Sequence, residues 1–153
     1  MPVQPPELDF TLLRSAHVPR GWVSEIDLKK LALFVLEAEH VEGPVTLTLD
    51  LTEHERIRIL NRRFRGVDRT TDVISFRDHP APALSGDIAI NVVQCAMQAK
   101  KIGHSTAREL RLLWIHGLLH LLDYTDYDPI PRRKMFRRQN QLLRQWERHA
   151  GKK

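Results

Sequence analysis

The stretch LLWIHGLLHLL, residues 112–122, is apolar except for one glycine and two histidines four positions apart, His116 and His120. In a helix, residues i and i+4 lie on one face with Cβ atoms about 5–6 Å apart, so two imidazoles can share one small cation. Helical periodicity stops at Asp123, and a third ligand can fold back from the following turn, where Asp126 lies. Three protein ligands with an open fourth position are typical of catalytic rather than structural zinc.

The alternative is that His116 and His120 are core histidines bonded to backbone or carboxylate groups. Burying two imidazoles in a leucine-rich helix requires partners for four ring nitrogens, whereas one cation satisfies two of them. The pattern therefore favours a metal site formed by His116, His120 and Asp126, with one zinc ion as the expected cofactor.

Length and composition indicate a single domain over residues 1–153, with residues 1–6 disordered, because 153 residues can bury a core without disulfides. The single cysteine, Cys95, cannot form an internal bridge, which favours a reducing compartment. No stretch approaches the roughly 20 apolar residues that a membrane span needs, and the first residues lack the pattern of a signal peptide. We expect a cytoplasmic protein with no membrane partner.

Basic residues are concentrated near the C-terminus. The chain has 24 Lys and Arg against 19 Asp and Glu, and only one acid, Glu147, lies among the bases of the last 22 residues. Such a segment attracts polyanions, although most charge runs are simply solvated helix faces. The distribution favours a surface that faces nucleic acid. The bases are Arg132, Arg133, Lys134, Arg137, Arg138, Arg144, Arg148, Lys152 and Lys153.

The hydrophobic pattern predicts an α+β fold, a four-stranded mixed sheet with about five helices and the metal site on a helix and the turn after it. Thr52 and Thr106 each have capping-box spacing to a glutamate three residues on and are predicted to cap helices. Strands are expected at about 8–13, 45–51, 72–76 and 87–90, and helices at about 25–39, 52–64, 92–101, 106–122 and 132–149.

With these segments placed, the chain from about Leu47 onward resembles the YbeY family of metal-dependent bacterial endoribonucleases. The family signature is His-Gly-x-Leu-His-Leu-x-Gly-Tyr-Asp-His, whose three histidines bind zinc, and this chain has HGLLHLLDYTD at 116–126. The other matching segments are Leu60-Asn61 with Arg65, TDVISF at 71–76, GDIAI at 86–90, and Glu109-Leu110.

Three positions of the signature differ: Asp126 replaces the third histidine, Asp123 the glycine, and Thr125 the aspartate. An aspartate carboxylate is an accepted zinc ligand, and its charge favours a less acidic bound water and a wider tolerance of manganese or other divalent metals. Asp123 can adopt the left-handed conformation that a helix end often requires. Asp128 is a rival third ligand, although it departs from the family spacing.

The resemblance implies an enzyme that cuts single-stranded RNA in ribosomal RNA maturation, with RNA and ribosomal subunits or proteins as partners. It implies that Arg65 binds the scissile phosphate and that Arg65 and His116 carry catalysis. Arg62, Arg63 and Arg69 are alternatives to Arg65. A noncatalytic ribosome-assembly factor that keeps the fold is the second hypothesis.

A zinc peptidase is disfavoured because Gly117 stands where such enzymes place a glutamate general base. Glu109 or Asp87 is expected to bond a ligand imidazole and orient it. Asp72 and Ser75 are either site residues or strand-end residues. The aromatic residues Trp114, Trp146 and Phe136 are expected in the core, with base stacking as the alternative.

Overall fold

The computed structural model describes residues 3–150 and contains a four-stranded sheet and five α-helices. The predicted α+β class is thereby confirmed. The strands are β1 Pro6–Arg14, β2 Gly43–Thr52, β3 Val73–His79 and β4 Ser85–Asn91. The helices are α1 Glu25–Ala38, α2 His54–Arg65, α3 Val92–Ile102, α4 Thr106–Leu121 and α5 Pro129–Ala150, with a short 3-10 helix at Arg20–Trp22.

The sheet is mixed, with the strand order β1-β2-β4-β3. Strands β1, β2 and β4 are parallel, and β3 pairs with β4 in the antiparallel direction. Helix α4 lies against β3 and β4 and also contacts α1, α3 and α5. A helix enclosed in this way is apolar around most of its circumference, which explains the sequence of residues 112–122.

Two of the three aromatic residues expected in the core are there. Trp114 is fully buried and its indole Nε1 donates a hydrogen bond to the carbonyl of Leu28 at 3.0 Å. Trp146 is 7% exposed. The prediction is wrong for Phe136, which is 40% exposed, because it falls on the side of α5 that borders His116 rather than on the core side.

Two glycines allow α4 to lie close to the sheet. A Cβ on Gly117 would come within 2.8 Å of Ile88 Cγ2 and 3.2 Å of Ser75 Oγ. A Cβ on Gly86 would come within 2.8 Å of a Leu121 methyl. The glycines in the HGLLH and GDIAI segments are therefore explained by the close packing of α4 on β3 and β4.

Because Gly117 has no room for a side chain, Gly117→Glu is expected to lower the free energy of unfolding by at least about 3 kcal/mol, through overpacking and burial of an unpaired carboxylate. Gly21 is the matched control, since a Cβ there meets nothing within 4 Å. Gly21→Ala is expected to change the urea midpoint little. A Gly117→Glu protein as stable as wild type would contradict this packing.

Several element boundaries differ from the predictions by one to three residues. Thr52 does not cap α2, because it still pairs with Asn91 at the end of β2. Ser105, not Thr106, caps α4, and its hydroxyl accepts from the backbone N–H of Arg108 at 3.1 Å. Helix α5 begins at Pro129, since the first turn of a helix does not need the missing N–H.

The prediction of disorder over residues 1–6 is wrong at Pro6, which opens β1 and pairs with Gly43. Proline is tolerated at the first residue of an edge strand because no ladder donor is required there. Residues 1 and 2 lie outside the described part of the chain. Assignment of the whole chain to one domain stays a prediction. Among residues 3–150, none of the helices combines the length and apolar character required to cross a bilayer.

Candidate metal centre and active site

His116 and His120 lie one turn apart on α4 and point their Nε2 atoms at each other across 3.1 Å. The Oδ2 atom of Asp126 lies 3.6 Å from the first and 3.5 Å from the second. Two ligand atoms of a tetrahedral zinc ion, each about 2.0–2.2 Å from it, are about 3.3–3.6 Å apart. The three atoms therefore have the spacing of three ligands around one small cation.

The turn after α4 brings Asp126 back to the two histidines. Leu122 ends the helix, and Asp123 follows in the left-handed conformation with φ 72°, as its side chain type allows. The Asp123 carboxylate accepts a hydrogen bond from Arg77 at 2.7 Å, and the carbonyl of Asp126 accepts one from Arg132 Nε at 2.9 Å. These contacts attach the turn to β3 on one side and to α5 on the other.

The hydrogen bonds at Nδ1 fix the tautomer of both histidines. His116 Nδ1 donates to Gln139 Oε1 at 2.6 Å, and His120 Nδ1 donates to the carbonyl of Tyr124 at 3.1 Å. Both acceptors are oxygens, so each Nδ1 carries the proton and each Nε2 presents a lone pair. Two lone pairs and a carboxylate thus converge without a proton between them, an arrangement that a cation stabilises.

The surroundings of His120 favour its neutral form. Burial lowers the pKa of His120, and the neighbouring His116 lowers it further, while Asp126 acts in the opposite direction. Because only a neutral imidazole can bind a metal through its lone pair, the lowered pKa keeps the lone pair of His120 available to a metal at neutral pH. Within residues 3–150, this trio alone brings three or more His, Cys, Asp or Glu side chains close enough together to hold one ion.

The trio opens into a pocket of about 820 Å³ on the surface. Arg65 lies in the wall of this pocket, and its Nη2 donates to the carbonyl of Ser75 at 3.2 Å. Arg69 also lines the pocket, whereas the two other candidate arginines, Arg62 and Arg63, do not. The pocket therefore joins the candidate metal-binding trio to a guanidinium that can bind an anion.

The family model described as Endoribonuclease YbeY matches residues 22–147. The chain belongs to the YbeY family. An Endoribonuclease YbeY of a Geobacillus species is 37% identical over 131 residues, which is 78% of this chain and 84% of that protein. The Brevibacillus brevis protein of the same name is 41% identical over 76% of this chain and 86% of its own length.

A solved structure has a similar fold. The solution structure of TM1509 from Thermotoga maritima superposes with a TM-score of 0.63 at 22% identity, covering 95% of this chain and 96% of the other. This likeness concerns the fold alone. The replacement of the third YbeY histidine by Asp126 as a ligand stays a prediction, and the structure places Asp126 rather than Asp128 beside the two histidines.

The prediction that Glu109 or Asp87 bonds the imidazole of His116 or His120 is wrong for this YbeY chain. The Glu109 carboxylate accepts from His104 Nε2 at 2.7 Å, because His104 follows the end of α3 and lies nearer than the ligand histidines. Asp87 lies on the opposite side of the sheet, since its neighbour Ile88 faces Gly117 on α4 and successive strand residues alternate faces. Burial and the nearby Asp78 raise the pKa of Asp87.

The polar residues of the YbeY-like motifs hold the framework around the pocket. Asn61 Nδ2 donates to the carbonyl of Arg69 at 2.9 Å and fastens the loop after α2. Asp72 accepts from the backbone N–H of Val73 at 2.8 Å, and Ser75 Oγ donates to the carbonyl of Gly117 at 3.1 Å. Asp72 thus caps the start of β3 and also lines the pocket of the trio, whereas Ser75 fastens β3 to α4.

Two residues beside the pocket were not identified from the sequence. Gln139 is 6% exposed and lies 23 residues after the histidine that it contacts, so no local spacing reveals it. Tyr127 lines the pocket and is 72% exposed. Its position directly after Asp126 was the only available signal.

Removal of the Gln139 acceptor is expected to weaken metal binding. Gln139→Leu frees His116 Nδ1 and allows the tautomer with the proton on Nε2, so zinc affinity should fall by about 10–100-fold. Gln139→Glu keeps an acceptor and should retain the affinity. Calorimetric zinc titration measures both, and equal affinities for Gln139→Leu and wild type would contradict the role assigned to Gln139.

Proposed function

We propose that this chain is a metal-dependent endoribonuclease that cuts single-stranded RNA during ribosomal RNA maturation in the cytoplasm. The observation that carries the proposal is the convergence of His116 Nε2, His120 Nε2 and Asp126 Oδ2 beside Arg65 in one open pocket. The names of the relatives, Endoribonuclease YbeY, support RNA as the substrate.

The donor set indicates which ions fit. Two imidazoles and one carboxylate suit zinc, and the carboxylate extends the range toward manganese and other divalent metals. When bound, a divalent cation would supply Lewis acidity, which activates water and polarises a phosphoryl oxygen. His116, His120 and Asp126 would hold this ion.

The other side chains position the substrate. Arg65 can bind two phosphate oxygens through its planar guanidinium and stabilise the charge that develops on them during cleavage. The Gln139 and Tyr124 acceptors keep the His116 and His120 rings oriented with their lone pairs toward the pocket. Gly117 supplies no general base, so peptide hydrolysis is not proposed.

Purified protein tests the activity directly. Single-stranded RNA should be cut, EDTA should abolish cleavage, and zinc or manganese should restore it. The His116→Ala protein should not be restored by either metal. Wild-type protein with one bound zinc ion that leaves RNA intact, in the same way as His116→Ala, would refute the proposal.

A second candidate is a noncatalytic ribosome-assembly factor, which the basic α5 helix favours. Such a protein would bind RNA or a ribosomal protein equally well with and without EDTA. Metal analysis separates the two functions, because a binding module does not need one metal ion per chain. Binding to ribosomal subunits is proposed under either function.

A further inference from the structure

The exposed side of α5 presents four arginines in one row. A helix turns by about 100° per residue, so their side chains project within about 60° of one another. This direction is opposite to the buried side of α5, which includes Met135, Leu142 and Trp146. The arginine row consists of Arg133, Arg137, Arg144 and Arg148.

The charge of the arginine row is not neutralised within the described residues. None of the four arginines forms a salt bridge with a carboxylate of residues 3–150. The one acid of α5, Glu147, accepts two hydrogen bonds from Arg108, at 3.0 and 3.1 Å. Four like charges along one helix repel each other, and an anionic partner would relieve this repulsion.

The row begins beside the candidate metal centre. Arg132 bonds the carbonyl of Asp126, and the Phe136 ring lies 5.9 Å from the His116 ring at 28° to it. Arg133 and Arg137 follow these two residues directly in α5. The first turns of α5 therefore pack against His116 and the turn that carries Asp126 on one side and begin the row on the other.

We propose that the arginine row is a track that binds the phosphates of single-stranded RNA outside the metal site, a role that rests on the proposed ribonuclease function. The distance from Arg133 to Arg148 is 15 helical steps, or about 22 Å at 1.5 Å per step, which is the length of about six stacked nucleotides at 3.4 Å each. Guanidinium groups suit phosphate oxygens, and the exposed part of Phe136 offers a stacking surface at the start of the track.

If the track exists, the affinity for RNA should depend on RNA length in a way that the metal centre alone would not produce. Replacing all four arginines of the row with glutamine should weaken binding of an RNA of about 15 nucleotides by about 10–100-fold at low salt. The slope of log affinity against log salt should fall by about 3, since each phosphate contact with a single strand contributes about 0.7. An RNA of about five nucleotides should be bound and cut as by wild type, because it does not reach past the pocket.

Fluorescence anisotropy with EDTA present measures binding without cleavage, and short-RNA cleavage with zinc is measured separately. The matched control replaces four exposed lysines with glutamine and lowers the net charge by the same amount. It should affect long RNA by less than about threefold. The control residues are Lys29, Lys30, Lys100 and Lys101.

The outcomes separate the track from the ribonuclease function. Equal loss in the row variant and the lysine control would overturn the track and attribute binding to net charge. No loss in either would also overturn it and would indicate a protein partner for α5. In both cases cleavage of short RNA by wild type would leave the ribonuclease function intact, whereas wild type that cuts neither RNA would refute both.

Discussion

Asp126→Ala is expected to lower zinc affinity and the kcat/KM of RNA cleavage by at least about 100-fold, more than the loss of a residue that only orients a ligand. The Asp126 carboxylate is the one anionic member of the trio and lies within 3.6 Å of both histidine Nε2 atoms. Without it, two imidazoles remain, and two ligands do not define a stable catalytic site.

Two further variants sharpen the Asp126 test. Asp126→His restores a third neutral ligand and should retain activity within about tenfold. Asp128→Ala removes the neighbouring acid that the spacing left as a rival ligand, and should leave zinc binding unchanged. Calorimetry and single-turnover cleavage measure each protein. A large loss in Asp128→Ala with no loss in Asp126→Ala would reassign the third ligand.

Arg65→Ala is expected to lower kcat by about 100-fold, the usual cost of removing one group that stabilises the charge of a transition state. Zinc affinity should not fall, since Arg65 contacts Ser75 and Phe76 and its positive charge disfavours a second cation beside His120. Arg65→Lys keeps the charge but loses the two-pronged geometry, and its activity should be intermediate.

Arg62→Ala is the matched control for Arg65, because Arg62 lies on the same helix and is exposed outside the pocket. Its activity should equal that of wild type. Steady-state kinetics on a short single-stranded RNA measure all three variants. An Arg65→Ala protein with wild-type kcat would show that another group, such as Arg69, binds the phosphate.

The sequence predicts best those features that depend on local spacing. The separation of His116 and His120 by one helical turn follows from the period of the helix alone. The left-handed residue Asp123 follows from the need to end α4 sharply. Patterning also places the four strands and five helices, because the apolar residues of most elements recur with the period of a strand or a helix.

Features that depend on packing between distant segments could not be predicted. The contact between Gln139 and His116 depends on how α5 crosses α4. The prediction that Thr52 caps α2 is wrong because the local motif competes with the sheet: pairing with Asn91 extends β2 through Thr52. The position of Asp87 on the far side of the sheet follows from strand register, which single-sequence patterns leave open.

The most direct test of the metal centre is anomalous diffraction at the zinc absorption edge from crystals grown with zinc. One peak per chain is expected, about 2.0–2.2 Å from His116 Nε2, His120 Nε2 and Asp126 Oδ2. No peak there, or a peak bound by the histidines while the Asp126 carboxylate points to solvent, would contradict the account.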